Sequence, residues 1–177
     1  MELIDVVNEK DEVIGKKDKA LVHADGDWHR ASRIWVMNSS NEILLHQRAG
    51  NKKILPNFWD TTFGGHVFSG ETYGDAARRE LKEELGMKNF ELFEIKKWVG
   101  MPNESSSEKL IVKVFLAKFD GDFNDLDFDK SEISQLRFVK LSEMERIYKT
   151  PEERKKFVYM GDFEDVVKTL KAFAKKK

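Results

Sequence analysis

The chain has 177 residues, 31 Lys plus Arg against 32 Asp plus Glu, and no cysteine. That length suits a single domain able to bury its own core, and the missing cysteine excludes disulfides, thiolate metal sites and thiol nucleophiles. The formal charge of −1 argues against nucleic acid or an anionic membrane as the main partner.

No apolar run approaches the roughly 18–20 residues that span a bilayer. The opening Met1-Glu2-Leu3-Ile4-Asp5 lacks the basic-then-apolar layout of a signal peptide, so a cytoplasmic protein is expected. Leu3 to Val7 and Val13 to Lys16 read as short strands around the turn-like Asn8-Glu9-Lys10-Asp11. Arg30 to Met37 and Glu42 to Gln47 read as a second pair joined by Asn38-Ser39-Ser40-Asn41. A basic loop over 49–57 ends near Pro56, and a short extended stretch leads into Gly64-Gly65.

Thr72 to Leu85 is helical in pattern, with Ala76, Ala77, Leu81 and Leu85 on one stripe. Thr72 with Asp75 suits a capped start, and Gly86 suits the end. Leu92 to Val99, Leu110 to Phe119 and Leu136 to Leu141 read as strands. Helices follow Ser142, with a restart at Pro151 and an amphipathic helix from Phe163 to Ala174. The pattern predicts an α+β layered fold in one domain over 1–177, with a core over 1–141 and a helical extension over 142–177.

Glu80, Glu83 and Glu84 stand at i, i+3 and i+4 and share one helix face near its C-terminal end. Mutual repulsion and the helix dipole each disfavour this by a few tenths to about 1 kcal/mol. A hard divalent cation reverses both effects, and Mg²⁺ prefers carboxylate oxygens with substrate phosphates completing its shell. A solvated acidic face, balanced by Arg78, Arg79 and Lys82, is the plain alternative.

Gly65, Glu71, Arg79, Glu80, Leu81, Glu83, Glu84, Gly86 and Met87 together spell G-x5-E-x7-R-E-U-x-E-E-x-G-U, with U a bulky apolar residue. This resembles the Nudix box in every specified position. The resemblance implies an α/β/α sandwich with a mixed sheet and a Mg²⁺- or Mn²⁺-dependent hydrolase that cleaves diphosphate linkages. It implies metal ligands at Glu80, Glu83, Glu84 and the Gly65 carbonyl, with Glu71 and Arg79 pairing to hold the loop. Glu80 and Glu132 are the two candidates for the water-activating base.

Residues 1–141 also resemble the branch containing type I isopentenyl diphosphate isomerase. The shared residues are Val6-Val7-Asn8, His29-Arg30-Ala31, Leu44-Leu45, Gln47-Arg48-Ala49, Lys52-Lys53, Pro56, Trp59 and Gly65-His66. That likeness implies Arg48 and Lys52 as ligands of the substrate diphosphate. It also aligns His29, His66 and Glu108 with isomerase metal ligands. His23 stands one residue closer to His29 than the isomerase ligand does, Leu110 replaces the second glutamate, and Gly64 stands where the isomerase has its cysteine. His29 and His66 therefore read either as hydrogen-bonded structural histidines or as ligands, and Glu108 and Glu104 as loop carboxylates within reach of a metal.

His46 reads as a strand residue facing solvent or a partner. Trp28, Trp35, Trp59 and Trp98 read as core, with Trp59 the one nearest the expected mouth. The expected function is hydrolysis of a nucleoside diphosphate derivative or similar small organic diphosphate. An isomerase-like proton shift and a non-catalytic diphosphate sensor are the alternatives. The C-terminal helices suit either capping the domain or joining two copies as a homodimer.

Overall fold

The protein is described by a computed structural model covering residues 2–101, 108–158 and 161–175. An N-terminal hairpin pairs β1 (Leu3–Val7) with β2 (Val13–Asp18), and α1 (Lys19–Asp25) folds back on it through Val22, packed with Ile4 and Val6. The sequence pattern did not predict α1, which has seven residues and buries only Val22. So short an element carries no readable period.

The main sheet is built on β3 (Trp28–Asn38) and β4 (Glu42–Arg48). The polar link between them predicts a hairpin, but they pair only at Met37 and Ile43. Beyond that point they splay apart. The wedge is filled by β5 (Trp59–Asp60), paired to β4, and β6 (Phe63–His66), paired to β3.

After α2 (Tyr73–Leu85), β7 (Leu92–Gly100) pairs antiparallel to β8 (Lys109–Phe119), which lies parallel to β3. On the far side β9 (Ile133–Lys140) pairs antiparallel to β4, starting earlier than the Leu136 predicted. The sheet is therefore mixed. The chain ends in α3 (Leu141–Lys149), α4 (Pro151–Arg154) and α5 (Phe163–Ala174), close to the helical extension expected.

Ile34 to Met37 are all buried, so β3 is covered on both faces. Ile34 and Val36 pack with Ala76, Ala77, Leu81 and Leu85 of α2, the four residues of the predicted stripe. Trp35 and Met37 pack the other way, with Val166, Val167 and Leu170 of α5 and Met144 of α3. Helices on both faces of a mixed sheet give the expected α/β/α layering. The α2 ends also form as read: Thr72 and Asp75 make a reciprocal capping box, and Gly86 closes the helix at φ 68°.

Candidate active site

The site forms where α2 meets β6. Gly64 and Gly65 sit opposite Arg33 and Ser32 of β3. At Gly64, with φ 135°, a side chain would strike the Ser32 carbonyl. At Gly65 a Cβ would run into the Glu80 carboxylate. The two glycines thus let the helix bring its carboxylates against bare backbone, and the Gly64 N–H donates to Glu84 Oε1 at 3.3 Å. Glu80 is largely buried, while Glu83 lies at the rim with a side chain 59% exposed.

Arg79 and Glu71 pair as the motif implied. Arg79 donates from Nε and Nη2 to the two Glu71 oxygens at 2.9 and 3.1 Å, and from Nη2 to the His66 carbonyl at 2.9 Å. Glu71 in turn accepts the Phe68 N–H at 3.0 Å, which ties the loop after β6 to the helix. The Arg79 guanidinium does more than the motif implied. Its Nη1 also reaches Glu80 at 2.7 Å and Glu83 at 3.3 Å, offsetting charge at two of the three box glutamates.

Glu84 has no cationic partner among the described residues. Burial first, and then the charge of Glu80, push its carboxyl up to about 8 against the Gly64 N–H. Glu80 is raised as well, since burial outweighs the pull of Arg79. A cavity of about 460 Å³ opens beside them, lined by Glu80, Glu83, Glu84, Asp129 and Glu132. Clustered carboxylates, one of them unpaired, beside a strand stripped of side chains form the donor set a hard divalent cation takes. The residues fit such an ion.

A second cleft of about 330 Å³ occupies the wedge between β3 and β4 and shares Gly64, Gly65, His66, Glu84 and Glu132 with the first. Arg48 lines it, although its Nε and Nη2 donate to the Ile54 carbonyl at 3.2 and 3.0 Å. Lys52 forms an ion pair with Glu132. The two expected diphosphate ligands and one candidate base therefore share a rim. His46 departs from its reading: it is 5% exposed, faces the cleft and packs its ring on Phe63. Trp59 lies outside the lining of both cavities and carries Arg137 on its ring.

The histidines gather into a cluster of their own. His23 of α1, His29 of β3 and His66 of β6 have ring centroids 4.9 to 5.1 Å apart, and one nitrogen of each lies within 4.8 Å of the others. His23, one residue out of the isomerase spacing, is nevertheless brought in, and Glu108 stands 3.8 Å from its Nδ1. His29 is fully buried. Its Nδ1 lies 2.9 Å from the Asp27 carbonyl, while its Nε2 has no hydrogen-bond partner. Burial, reinforced by neighbouring positive charge, lowers His66 to about 3, and burial also lowers His29. Both imidazoles are neutral at pH 7, the state a metal needs. Glu104 lies outside the described residues.

A family model described as NUDIX domain matches residues 27–160. The chain belongs to the NUDIX domain family. Nudix hydrolases are pyrophosphohydrolases that in general work with divalent metal ions. An uncharacterized Nudix hydrolase of Nostoc sp. is 41% identical over 88 residues, covering 49% of this chain and 52% of that protein. The match thus spans about half the length of that relative. Another, of Pseudomonas aeruginosa, is 34% identical over 139 residues, covering 78% of this chain and 79% of its own. Among solved structures, the DR0079 protein of Deinococcus radiodurans aligns with a TM-score of 0.69 at 26% identity, over 94% of this chain and 98% of that one. Among the described residues no helix of this Nudix chain is long and apolar enough to cross a membrane.

Proposed function

We propose that this Nudix chain holds Mg²⁺ or Mn²⁺ on Glu80, Glu83, Glu84 and the Gly65 carbonyl. It hydrolyses the diphosphate linkage of a nucleoside diphosphate derivative or similar small organic diphosphate, and acts as one domain in the cytoplasm. The observation that carries this is the meeting of Glu80 with Gly65 and of Glu84 with the Gly64 N–H, in a cavity that Glu83 also lines. A bound divalent cation supplies Lewis acidity toward phosphoryl oxygens and lowers the pKa of water.

The chain's own groups do the rest. Arg48 and Lys52 take the diphosphate, exchanging the Ile54 carbonyl and the Glu132 carboxylate for phosphate oxygens. Glu132, freed from Lys52, or Glu80 accepts the proton of the attacking water. Glu71 and Arg79 hold the loop and the helix in register.

Replacing Glu83 or Glu84 by Gln tests the reading. Turnover of ADP-ribose, UDP-glucose or a related diphosphate, followed by product mass, should fall by at least about a thousandfold with the fold intact. Parental turnover in either variant overturns the assignment.

The histidine cluster favours a second metal site, consistent with placing the chain in the isomerase-like branch of the family without its cysteine. His23, His29 and His66 supply three imidazoles and Glu108 a carboxylate, a softer set than the box and suited to Zn²⁺ or Co²⁺. Titration with Co²⁺ should give the visible spectrum of an imidazole-bound ion, and His23→Gln should abolish it. An unchanged spectrum removes the second site.

A further inference from the structure

We propose that Arg33 forms a second anion subsite in the wedge cleft, so that the group attached to the diphosphate carries a carboxylate or phosphate of its own. The inference rests on the hydrolase reading of that cleft and names the class of substrate it selects.

Alternation along β3 puts Ala31, Arg33 and Trp35 on the face that α5 covers, where Trp35 is core. A guanidinium at that position is out of pattern. Its side chain is 25% exposed and lines the 330 Å³ cleft with Ala31, Leu110, Val112 and Val158. Arg30, Arg48 and Arg79 each spend N–H donors on carboxylate or carbonyl oxygens. The Arg33 side chain makes no hydrogen bond among the described residues.

Its contacts are Asp162 at 3.6 Å, beyond hydrogen-bond length, and the Trp98 ring at 5.6 Å. Asp162 is itself loosely used: it lies 3.8 Å from Lys96, and its Oδ2 is buried without a hydrogen bond. Of the other carboxylates lining the cleft, Glu132 is ion-paired with Lys52 and Glu84 accepts the Gly64 N–H.

A guanidinium lining a cleft, held among the described residues by one loose ion pair to Asp162, keeps its planar fork of donors open to a planar or tetrahedral oxyanion. The apolar side chains around it strengthen such a contact. Placement agrees: Arg33 and Glu84 line the same cleft, and the Arg33 backbone pairs in register with Gly64, whose N–H reaches Glu84. A diphosphate held at that cluster reaches Arg33 through the group it carries.

Matched substrate pairs test this: UDP-glucuronate against UDP-glucose for a carboxylate, and coenzyme A against its 3′-dephospho form for a phosphate. Turnover is measured on the parent, and binding on Glu83→Gln protein with Mg²⁺ so that the probes stay intact. The parent should favour the charged member of one pair by at least about tenfold in kcat/KM and in Kd. Arg33→Gln should erase that preference with the neutral member held within about twofold, and Asp162→Asn, which frees Arg33, should enlarge it.

Equal handling of both members in both pairs overturns the inference, as does an equal loss for both members in Arg33→Gln. A binding preference without turnover of any probe would instead remove the hydrolase reading and leave the anion subsite. Turnover without preference does the reverse.

Discussion

Gly65 and Glu80 share one small space: the Glu80 carboxylate occupies the position that a Cβ on Gly65 would take. The constraint on this glycine comes from the neighbouring helix, since its backbone lies outside the left-handed region that favours glycine in turns. Gly65→Ala should push the Glu80 carboxylate away and weaken Mn²⁺ binding by at least about tenfold, with little loss of stability because a side-chain end can move. Calorimetric titration with Mn²⁺ checks it, and a parental dissociation constant would contradict the packing argument.

Arg79 distributes one guanidinium over Glu71, Glu80, Glu83 and the His66 carbonyl. A lysine keeps the charge and loses the fork. Arg79→Lys should destabilise the metal-free protein by about 1–3 kcal/mol in urea unfolding at pH 7. An unaltered unfolding midpoint would show that the shared bonds hold nothing.

The two candidate bases separate by their surroundings. Glu80 is wedged against Gly65 and Arg79, whereas Glu132 sits at the rim with Lys52. Glu132→Gln should lower kcat about 10²–10⁴-fold with Mn²⁺ affinity unchanged, as expected for loss of a general base alone. Glu80→Gln should lower both. Should Glu132→Gln keep its parental kcat, the base is Glu80.

Asp11 links the N-terminal hairpin to the main sheet, at φ 71°, through Arg30 at 2.6 Å, Lys97 at 2.7 Å and the Tyr73 hydroxyl at 2.9 Å. Burial opposes its ionisation, but the hydrogen bonds from Lys97, Arg30 and Tyr73 prevail and hold the carboxyl below the usual aspartate range. As pH falls, the unfolded chain takes up this proton before the folded one. The contribution is thus complete above the ordinary aspartate pKa and is lost as pH drops through the lower folded value. Asp11→Asn, which tolerates the positive φ, should cost about 1–2 kcal/mol at pH 7. The gap to the parent should close in acid, below pH about 4. A gap that stays constant across a series of urea unfolding curves would show that the charge is idle.

Much of the active helix was legible. The Thr72–Asp75 box, the Gly86 stop and the stripe of Ala76, Ala77, Leu81 and Leu85 all form as read, and Glu71 pairs with Arg79. Other residues were hidden by distance along the chain. His23 comes from a helix too short to show a period, and it meets His66, 43 residues away, at 3.1 Å. His46 looked like one of a strand's outward residues, but the splaying of β3 from β4 turns it into a buried wall of the cleft.

By itself the sequence determined the carboxylate helix, its caps and the family to which the chain belongs, because each depends on residues spaced within a few turns of one another. Only the tertiary structure decided that β6 and β5 fill the gap between β3 and β4, and that Arg33, Asp162 and Trp98 meet beside that gap. Those meetings follow from how two sheet faces bury their apolar residues, a balance summed over the whole core that no local spacing encodes.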